Sequence, residues 1–170
     1  EDEPGTRLSN LEYAPLAELT GWSSEIGPEA INCAAPDTGN MEVLHMFGTA
    51  EQKKQWLQPL LAGEIRSGFS MTEPAVASSD ARNIETSIVR DGDDYVINGE
   101  KMYISGGTVA DYVVCFARLG GIAGPKGISA FIVPTDTPGF RVAGTDRKMG
   151  VRGVPTADIV FEDCRVPKDY

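Results

Sequence analysis

The spacing of apolar residues changes once along this chain, near residue 66, and that change restricts the possible folds more than any other feature. Before it, apolar positions recur at helical spacing. After it, short runs rich in Val, Ile and Phe alternate with turn-forming residues, as in strands. A single switch of this kind predicts an α+β protein in which the helices come first. We expect the boundary near Ile65–Gly68, with a partial helical segment over residues 1–66 and a β domain over residues 67–170.

Three helices are predicted before this boundary. The first contains a series of leucines that Pro15 interrupts. The second spans residues 36–47, and Gly48 follows it at the position of a C-terminal cap. The third starts with a capping box formed by Thr49 and Gln52, and Gly63 is its expected end. The apolar stripe of the third helix consists of Trp56, Leu57, Leu60 and Leu61.

The β part is predicted from apolar runs and the turns between them. The sequence Asp91-Gly92-Asp93-Asp94 separates two runs and is a hairpin signature. Residues 119–127 contain four glycines and one proline and are predicted to form a loop. Strands at this spacing favour a barrel or a sandwich. The predicted strands are residues 84–90, 95–98, 111–118, 128–134, 140–143 and 157–162.

Composition excludes several classes of function. With 25 acidic and 15 basic residues the net charge is −10, which argues against nucleic acid as a partner. No apolar run approaches the length of a transmembrane helix, so none is predicted. Cys33, Cys115 and Cys164 lack metal-binding spacing and are predicted to be free, mostly buried thiols in a reducing intracellular compartment. The single histidine, His45, lies in an apolar run, so a structural role is favoured and no metal site is expected.

Two polar segments carry the candidate chemistry. Residues 69–80, with the sequence FSMTEPAVASSD, place hydroxyls and small side chains beside a turn that Pro74 fixes. Such a turn lets backbone N–H groups approach a flat polar ligand, and the hydroxyls complete the contacts. The second segment, residues 101–107, has the sequence KMYISGG. Simpler roles are also open: Thr72 and Ser79 could close turns, and Tyr103 could pack in the barrel.

Motifs in a fixed order resemble the acyl-CoA dehydrogenase family over nearly the whole chain from about Leu11. No single motif is decisive, but their common order is specific. They are Thr72-Glu73-Pro74 with Ser79-Asp80, residues 96–101 with 103–105, residues 148–152, residues 160–167, and a helical stretch over residues 35–53 that is similar to one subgroup.

The resemblance implies a fold and an activity. Family members have a helical N-terminal domain, a middle β-barrel domain and a C-terminal four-helix domain, and they usually form homotetramers. This chain would then comprise the end of the first domain and, over residues 67–170, a mainly antiparallel β-barrel. FAD lies between the middle and C-terminal domains. The family removes an α-proton from an acyl-CoA thioester with a carboxylate and passes the β-hydride to the flavin, which a flavoprotein or oxygen reoxidises.

The resemblance also assigns roles to the first polar segment. From Phe69 onward the segment is expected to run along the flavin. Met71 would offer its backbone N–H, and Thr72 its hydroxyl, to the polar edge of the isoalloxazine. Donors there would stabilise the negative charge of the reduced flavin. Ser79 matches the serine that contacts the acyl-CoA, and its neighbour Ser78 could take that place, because one residue is inserted here relative to the commoner pattern.

The second segment supplies further cofactor contacts. Tyr103 stands where the family usually has Trp, Ile104 follows it, and Ser105 replaces the usual Thr, whose hydroxyl reaches near flavin N5. The family's catalytic glutamate lies in the C-terminal domain, so no catalytic residue is expected in this chain and the chain alone should be inactive. Glu73 is expected to be solvated or ion-paired, and Asp80 to form a turn.

Two other functions remain open at this point. An acyl-CoA oxidase has the same scaffold but passes electrons to oxygen. A non-catalytic binding or oligomerisation module could keep the barrel and lose the chemistry. A lipocalin-like binder is disfavoured, because its barrel would not need the preceding helices.

Overall fold

The computed structural model describes residues 8–24, 26–120, 122 and 124–170. The chain divides into two compact units, Glu1–Ala34 and Ala35–Tyr170. In the first unit, helix α1 (Asn10–Gly21) begins with a capping box in which Ser9 and Glu12 exchange hydrogen bonds. The expected interruption at Pro15 is absent within α1, because a proline removes only one backbone donor. A short helix that the sequence did not predict, α2 (Ile26–Ala30), follows it.

The second unit begins with the two remaining predicted helices. Helix α3 spans Asp37–Phe47 and ends at Gly48, as predicted. Thr49 and Gln52 form the predicted capping box of the next helical segment. This segment consists of α4 (Ala50–Gln52), a π-helical stretch (Lys53–Leu57) and α5 (Gln58–Leu61). Of its predicted stripe, Trp56, Leu57 and Leu60 are buried and Leu61 is exposed.

Seven strands of the described chain form one sheet. They are β1 (Ser67–Ser70), β2 (Ser87–Asp91), β3 (Asp94–Ser105), β4 (Tyr112–Leu119), β5 (Ile128–Pro134), β6 (Phe140–Thr145) and β7 (Thr156–Pro167). Their order in the sheet is β1-β4-β2-β3-β7-β6, and β5 pairs with β4 outside this path. The pairs β2–β3, β3–β7, β4–β5 and β6–β7 are antiparallel, whereas β1 and β2 pair with β4 in parallel. The sheet curls into a half-barrel, which confirms the predicted α+β class.

Strand β3 is much longer than the predicted 95–98. Asn98, Gly99 and Glu100 interrupt the apolar pattern, yet the strand continues through them to Ser105. Gly99 has φ +155°, and a Cβ there would lie 2.5 Å from Thr86 Oγ1. The glycine is therefore required by the close approach of the segment that precedes β2, and it does not end the strand.

Strand β4 is buried on both faces and organises two cores. Because side chains alternate along a strand, Val113, Cys115 and Ala117 face the core enclosed by the curled sheet. Tyr112 and Val114 face the opposite way, into a core shared with the helices. That second core also contains Met41, Leu44, Trp56, Leu57, Leu60 and Ile132. Helices α3 to α5 therefore pack on one outer face of the sheet.

Asp37 joins the helical layer to the sheet. Its Oδ1 accepts the backbone N–H of Ser67 at 2.8 Å and the Ser67 hydroxyl at 2.6 Å, while Oδ2 accepts Arg66 Nη1 at 3.3 Å. Asn40, one turn along α3, donates to Ser67 Oγ and to the carbonyl of Gly68. These buried bonds fix the start of β1 against α3.

Replacing Asp37 should loosen this joint. Asp37→Ala leaves two buried donors of Ser67, its N–H and its O–H, without the acceptor that they share, and each such loss costs about 1–3 kcal/mol, so we expect a loss of about 2–4 kcal/mol. Urea unfolding followed by circular dichroism measures it. Glu42→Ala, an exposed carboxylate on the same helix, is the matched control and should change stability by less than about 0.5 kcal/mol. Equal effects of the two substitutions would show that Asp37 does not hold the start of β1 against α3.

Candidate functional site

The two polar segments meet beside the end of β1. The Met102 N–H donates to the carbonyl of Thr72 at 2.9 Å, and Thr72 Oγ1 donates to the carbonyl of Met102 at 2.6 Å. The first bond joins the two backbones, and the second joins the Thr72 side chain to the backbone of Met102. Segments that are thirty residues apart in sequence thus share one edge of the fold. The Thr72 hydroxyl has a single proton, and in this arrangement that proton is donated to the carbonyl of Met102.

The predicted cofactor residues divide into exposed and buried groups. Tyr103 and Ser105 are exposed, and Phe69 is partly exposed with its ring 4.9 Å from that of Phe116. Met71 is half-buried. Ile104 is 1% exposed and belongs to the core inside the curled sheet, so only its backbone is available to a ligand. The exposed members offer aromatic faces and hydroxyls, the chemistry that a flat ring with a polar edge requires.

Tyr103 has a strained backbone. The pairing of β3 with β7 is interrupted by a bulge between Lys101 and Ile104. Within this bulge Tyr103 has φ +60°, and its side chain is left 62% exposed. A non-glycine residue in this region costs about 1–3 kcal/mol and is found preferentially at functional sites. An exposed aromatic side chain held this way fits a ring-binding role better than barrel packing.

The structure distinguishes Ser78 from Ser79. Ser78 is buried, and its hydroxyl accepts the N–H of Glu73, which closes the turn around Pro74. Ser79 is exposed. Of these two serines, Ser79 is therefore the one whose hydroxyl is accessible from outside the protein.

Asp80 forms a turn, as predicted. It caps the 3₁₀ turn Ala81–Asn83 and accepts hydrogen bonds from the Arg82 backbone N–H and guanidinium, the shortest at 2.6 Å. Hydrogen bonds from the Arg82 side chain, followed by that from its backbone, lower the pKa of Asp80 to about 2. The following segment is held by Arg118, which donates to the carbonyls of Arg82 and Ile84.

Glu73 and Lys101 form a buried ion pair next to the site. The two side chains are 4% and 0% exposed, and Lys101 Nζ lies 2.8 Å from Glu73 Oε1. The same ammonium donates to the carbonyls of Met71 at 3.0 Å and Phe116 at 2.6 Å. The Glu73 carboxylate also accepts the N–H groups of residues 85 and 86, at 2.8 and 2.9 Å. Each charge is compensated, as burial requires.

These partners set the ionisation of Glu73. Burial by itself would raise the pKa of the carboxyl, but the hydrogen bonds from Lys101 and from the backbone N–H groups of Glu85 and Thr86 outweigh it. The pKa of Glu73 therefore lies below its ordinary value. Glu73 is ion-paired and fully ionised near neutral pH.

Lys101 is the residue whose role the sequence reading missed. In the sequence it stands out only as part of the motif over residues 96–101. Side chains alternate between the two faces of a strand, so Lys101, four residues after the buried Ile97, lies on the core-facing side of β3. A lysine at such a position requires buried partners, and Glu73 supplies the charge.

The structure also describes the three cysteines and the single histidine. All three cysteines are free, with Cys115 and Cys164 buried as predicted. Burial raises the pKa of Cys115 to about 12 and that of Cys164 to about 11, so both are unreactive thiols. His45 is exposed in the last turn of α3. Within the described residues, no three His, Cys, Asp or Glu side chains are grouped to bind a metal, and no helix could cross a membrane.

Comparison with known proteins shows which family this chain is similar to. Residues 68–164 match the model of the acyl-CoA dehydrogenase middle domain. The probable acyl-CoA dehydrogenase FadE2 of Mycobacterium tuberculosis is 64% identical over 94% of this chain, which spans 40% of that relative's length.

Two solved structures are also similar. A "putative acyl-CoA dehydrogenase from Mycobacterium abscessus" has a TM-score of 0.88 and 44% identity over 97% of this chain and 42% of its own. A glutaryl-CoA dehydrogenase from Mycobacterium smegmatis, solved in complex with FADH2, has a TM-score of 0.69 and 36% identity over 76% of this chain and 32% of its own.

The Glu73–Lys101 pair predicts a pH-dependent effect of Glu73→Gln. A carboxyl whose folded pKa is depressed adds stability above its unfolded pKa, near 4.3, and loses it as the pH falls through the folded value. At pH 7 the substitution leaves Lys101 buried without its counter-charge and should cost about 3–5 kcal/mol. The difference in stability between the variant and the unsubstituted chain should shrink at acid pH, where Glu73 becomes protonated and is then as neutral as the glutamine.

Urea titrations between pH 3 and pH 7 measure this difference. Glu85→Gln is the matched control, because the Glu85 side chain is exposed, and its effect on stability should be small. A Glu73→Gln effect that is as large at pH 3 as at pH 7 would show that folding does not lower the pKa of Glu73.

Tyr103→Gly separates backbone strain from ligand binding. Glycine adopts φ +60° freely, so the strain is relieved. The free energy of unfolding should therefore be unchanged or rise by about 1 kcal/mol, although glycine also raises the conformational entropy of the unfolded chain. The resemblance implies that this aromatic face contacts FAD, so its loss should weaken binding of FAD to the full-length protein about tenfold. Asp163→Gly, at another positive φ of +48°, should leave FAD affinity unaltered. A marked loss of stability without a change in FAD affinity would make Tyr103 a packing residue.

Proposed function

Because this chain belongs to the acyl-CoA dehydrogenase family, we propose that it is the flavin-binding segment of an FAD-dependent enzyme that removes hydrogens from the α and β carbons of an acyl-CoA thioester. Residues 67–170 would be the middle domain and residues 1–66 the end of the N-terminal helical domain. The observation that carries the proposal is the exposed, strained Tyr103 beside the hydrogen-bonded Thr72–Met102 pair. In the full-length protein, homo-oligomerisation and an electron acceptor, a flavoprotein or oxygen, belong to the same proposal.

FAD, when bound, would supply the acceptor for the substrate hydride. Phe69 and Tyr103 offer aromatic surface for its ring system, and Ser105 offers a hydroxyl. Thr72 would lie at the polar edge of this ring system, and its two bonds to Met102 hold it in place. The Met71 N–H is the further donor proposed there. The exposed Ser79 would contact the acyl-CoA.

The base that removes the α-proton is proposed to lie outside these 170 residues. A general base needs a free carboxylate within hydrogen-bonding distance of the proton it removes. The two acids nearest the proposed flavin contacts do not meet this requirement. Glu73 is 4% exposed and bound by Lys101, and Asp80 is bound by Arg82. Their geometry supports structural roles.

The full-length protein tests the proposal directly. It should purify with FAD absorbance bands, or acquire them when FAD is added, and an acyl-CoA substrate should bleach them under anaerobic conditions. Reoxidation by oxygen as fast as by an artificial acceptor would identify an oxidase instead of a dehydrogenase. A full-length protein that stays colourless after FAD addition would refute the proposal and favour a non-catalytic module.

The 170-residue chain is the matched control for the location of the base. Mixed with FAD, acyl-CoAs and an artificial acceptor, it should bind FAD weakly and show no turnover above the free-flavin background. Turnover that Glu73→Gln or Asp80→Asn abolishes would place the base within the chain.

A further inference from the structure

Lys101 has all three of its N–H donors engaged inside the protein. They are directed at Glu73 Oε1, the carbonyl of Met71 and the carbonyl of Phe116. Met71 is the first residue after β1 and lies next to Thr72 in the candidate flavin site. The ammonium therefore touches a peptide group of the site directly, although the lysine side chain itself is fully buried.

The peptide unit that Lys101 touches includes the N–H of Thr72. The carbonyl of Met71 and the N–H of Thr72 belong to one planar, conjugated amide. A positive charge bonded to the carbonyl oxygen draws electron density toward it and makes the N–H at the other end a stronger donor. The effect is large in a buried environment, where little water screens the charge.

The same peptide unit is held rigidly. The carbonyl of Thr72 accepts the N–H of Met102, and the Thr72 hydroxyl donates to the carbonyl of Met102. Lys101 fixes the preceding carbonyl at 3.0 Å. Both peptide groups that flank Thr72 are therefore oriented before any ligand arrives, and donors oriented in advance stabilise developing negative charge most effectively.

Stability alone is a weak reason for this lysine. A buried ion pair contributes little net stability compared with apolar residues of similar volume, because both charges must be removed from water. Glu73 takes up part of the positive charge, but it is the ammonium, and not the carboxylate, that is bonded to the Met71 carbonyl. The pair thus leaves a net polarising effect on the 71–72 peptide.

We propose that Lys101 is a positioning residue that raises the reduction potential of the bound flavin by polarising the peptide between Met71 and Thr72, and that Glu73 moderates this effect. This inference rests on the proposed function and adds the N–H of Thr72 to that of Met71 as a donor at the polar edge of the flavin. Reduced flavin carries additional negative charge at its polar edge, so a stronger donor there favours the reduced form over the oxidised form.

The two members of the pair should shift the potential in opposite directions. In the full-length protein, Lys101→Met removes the ammonium and should lower the ratio of reduced to oxidised FAD, at a fixed reference-dye potential, about tenfold. For a two-electron couple that is a decrease of about 30 mV. Glu73→Gln leaves the ammonium without its counter-charge and should raise the potential. General damage to the fold would move both variants in the same direction.

Two further variants complete the test. Lys168→Met removes a lysine from an exposed pair with Asp93 and should leave the potential unchanged. If Lys101→Met fails to fold, the double substitution Lys101→Met with Glu73→Gln leaves neither buried charge and should still have a potential below that of the unsubstituted protein. The affinity for oxidised FAD should change less than the affinity for reduced FAD in each case.

The outcomes separate the two proposals. An unsubstituted protein that never binds FAD refutes the proposed function. FAD binding and reduction with normal potentials in the Lys101 and Glu73 variants, or shifts of the same sign in both, would overturn only the role given to Lys101.

Discussion

The buried bond between Glu73 and Lys101 is the interaction on which the arrangement of the site depends. Lys101 comes from the middle of β3 and binds the carbonyl of Phe116 on β4 and that of Met71 just after β1. Glu73 holds the N–H groups of the segment that leads into β2. One pair of charges thereby links four strands. Because neither charge tolerates burial alone, each of these segments must be in place for the others to be stable.

Packing around β4 explains why the polar segments face outward. The strand is covered on one side by the interior of the curled sheet and on the other by helices α3 to α5. Asp37 fixes the helical layer to the first residue of β1, so the residues that follow β1 leave the core in a defined direction. The bulge in β3 then turns the large aromatic side chain of Tyr103 outward, although Lys101 and Ile104 on either side of it in the same strand are buried. Rigid packing and local strain together define the exposed surface of the site.

Much of this could be read from the sequence, where local chemistry decides the structure. The Thr49–Gln52 capping box, the Asp91–Asp94 hairpin and the apolar runs of β4 and β5 were predicted and are present. Apolar periodicity and turn residues report on backbone conformation within a few residues. The second half of β3 was missed for the same reason. Its polar residues and Gly99 break the local pattern, and only the close approach of Thr86 explains the glycine.

The sequence by itself determined the α+β class, the order of the elements, the family, and which segments carry the hydroxyls and aromatic side chains. It could not determine which of these side chains are buried, since burial depends on partners distant in sequence. Only the tertiary structure decided that Ser78 closes a turn while Ser79 is exposed, and that Ile104 belongs to the core. It alone placed Lys101 between Glu73 and the Met71 carbonyl, because the charge of a buried residue is stabilised by whatever the fold brings within hydrogen-bonding distance.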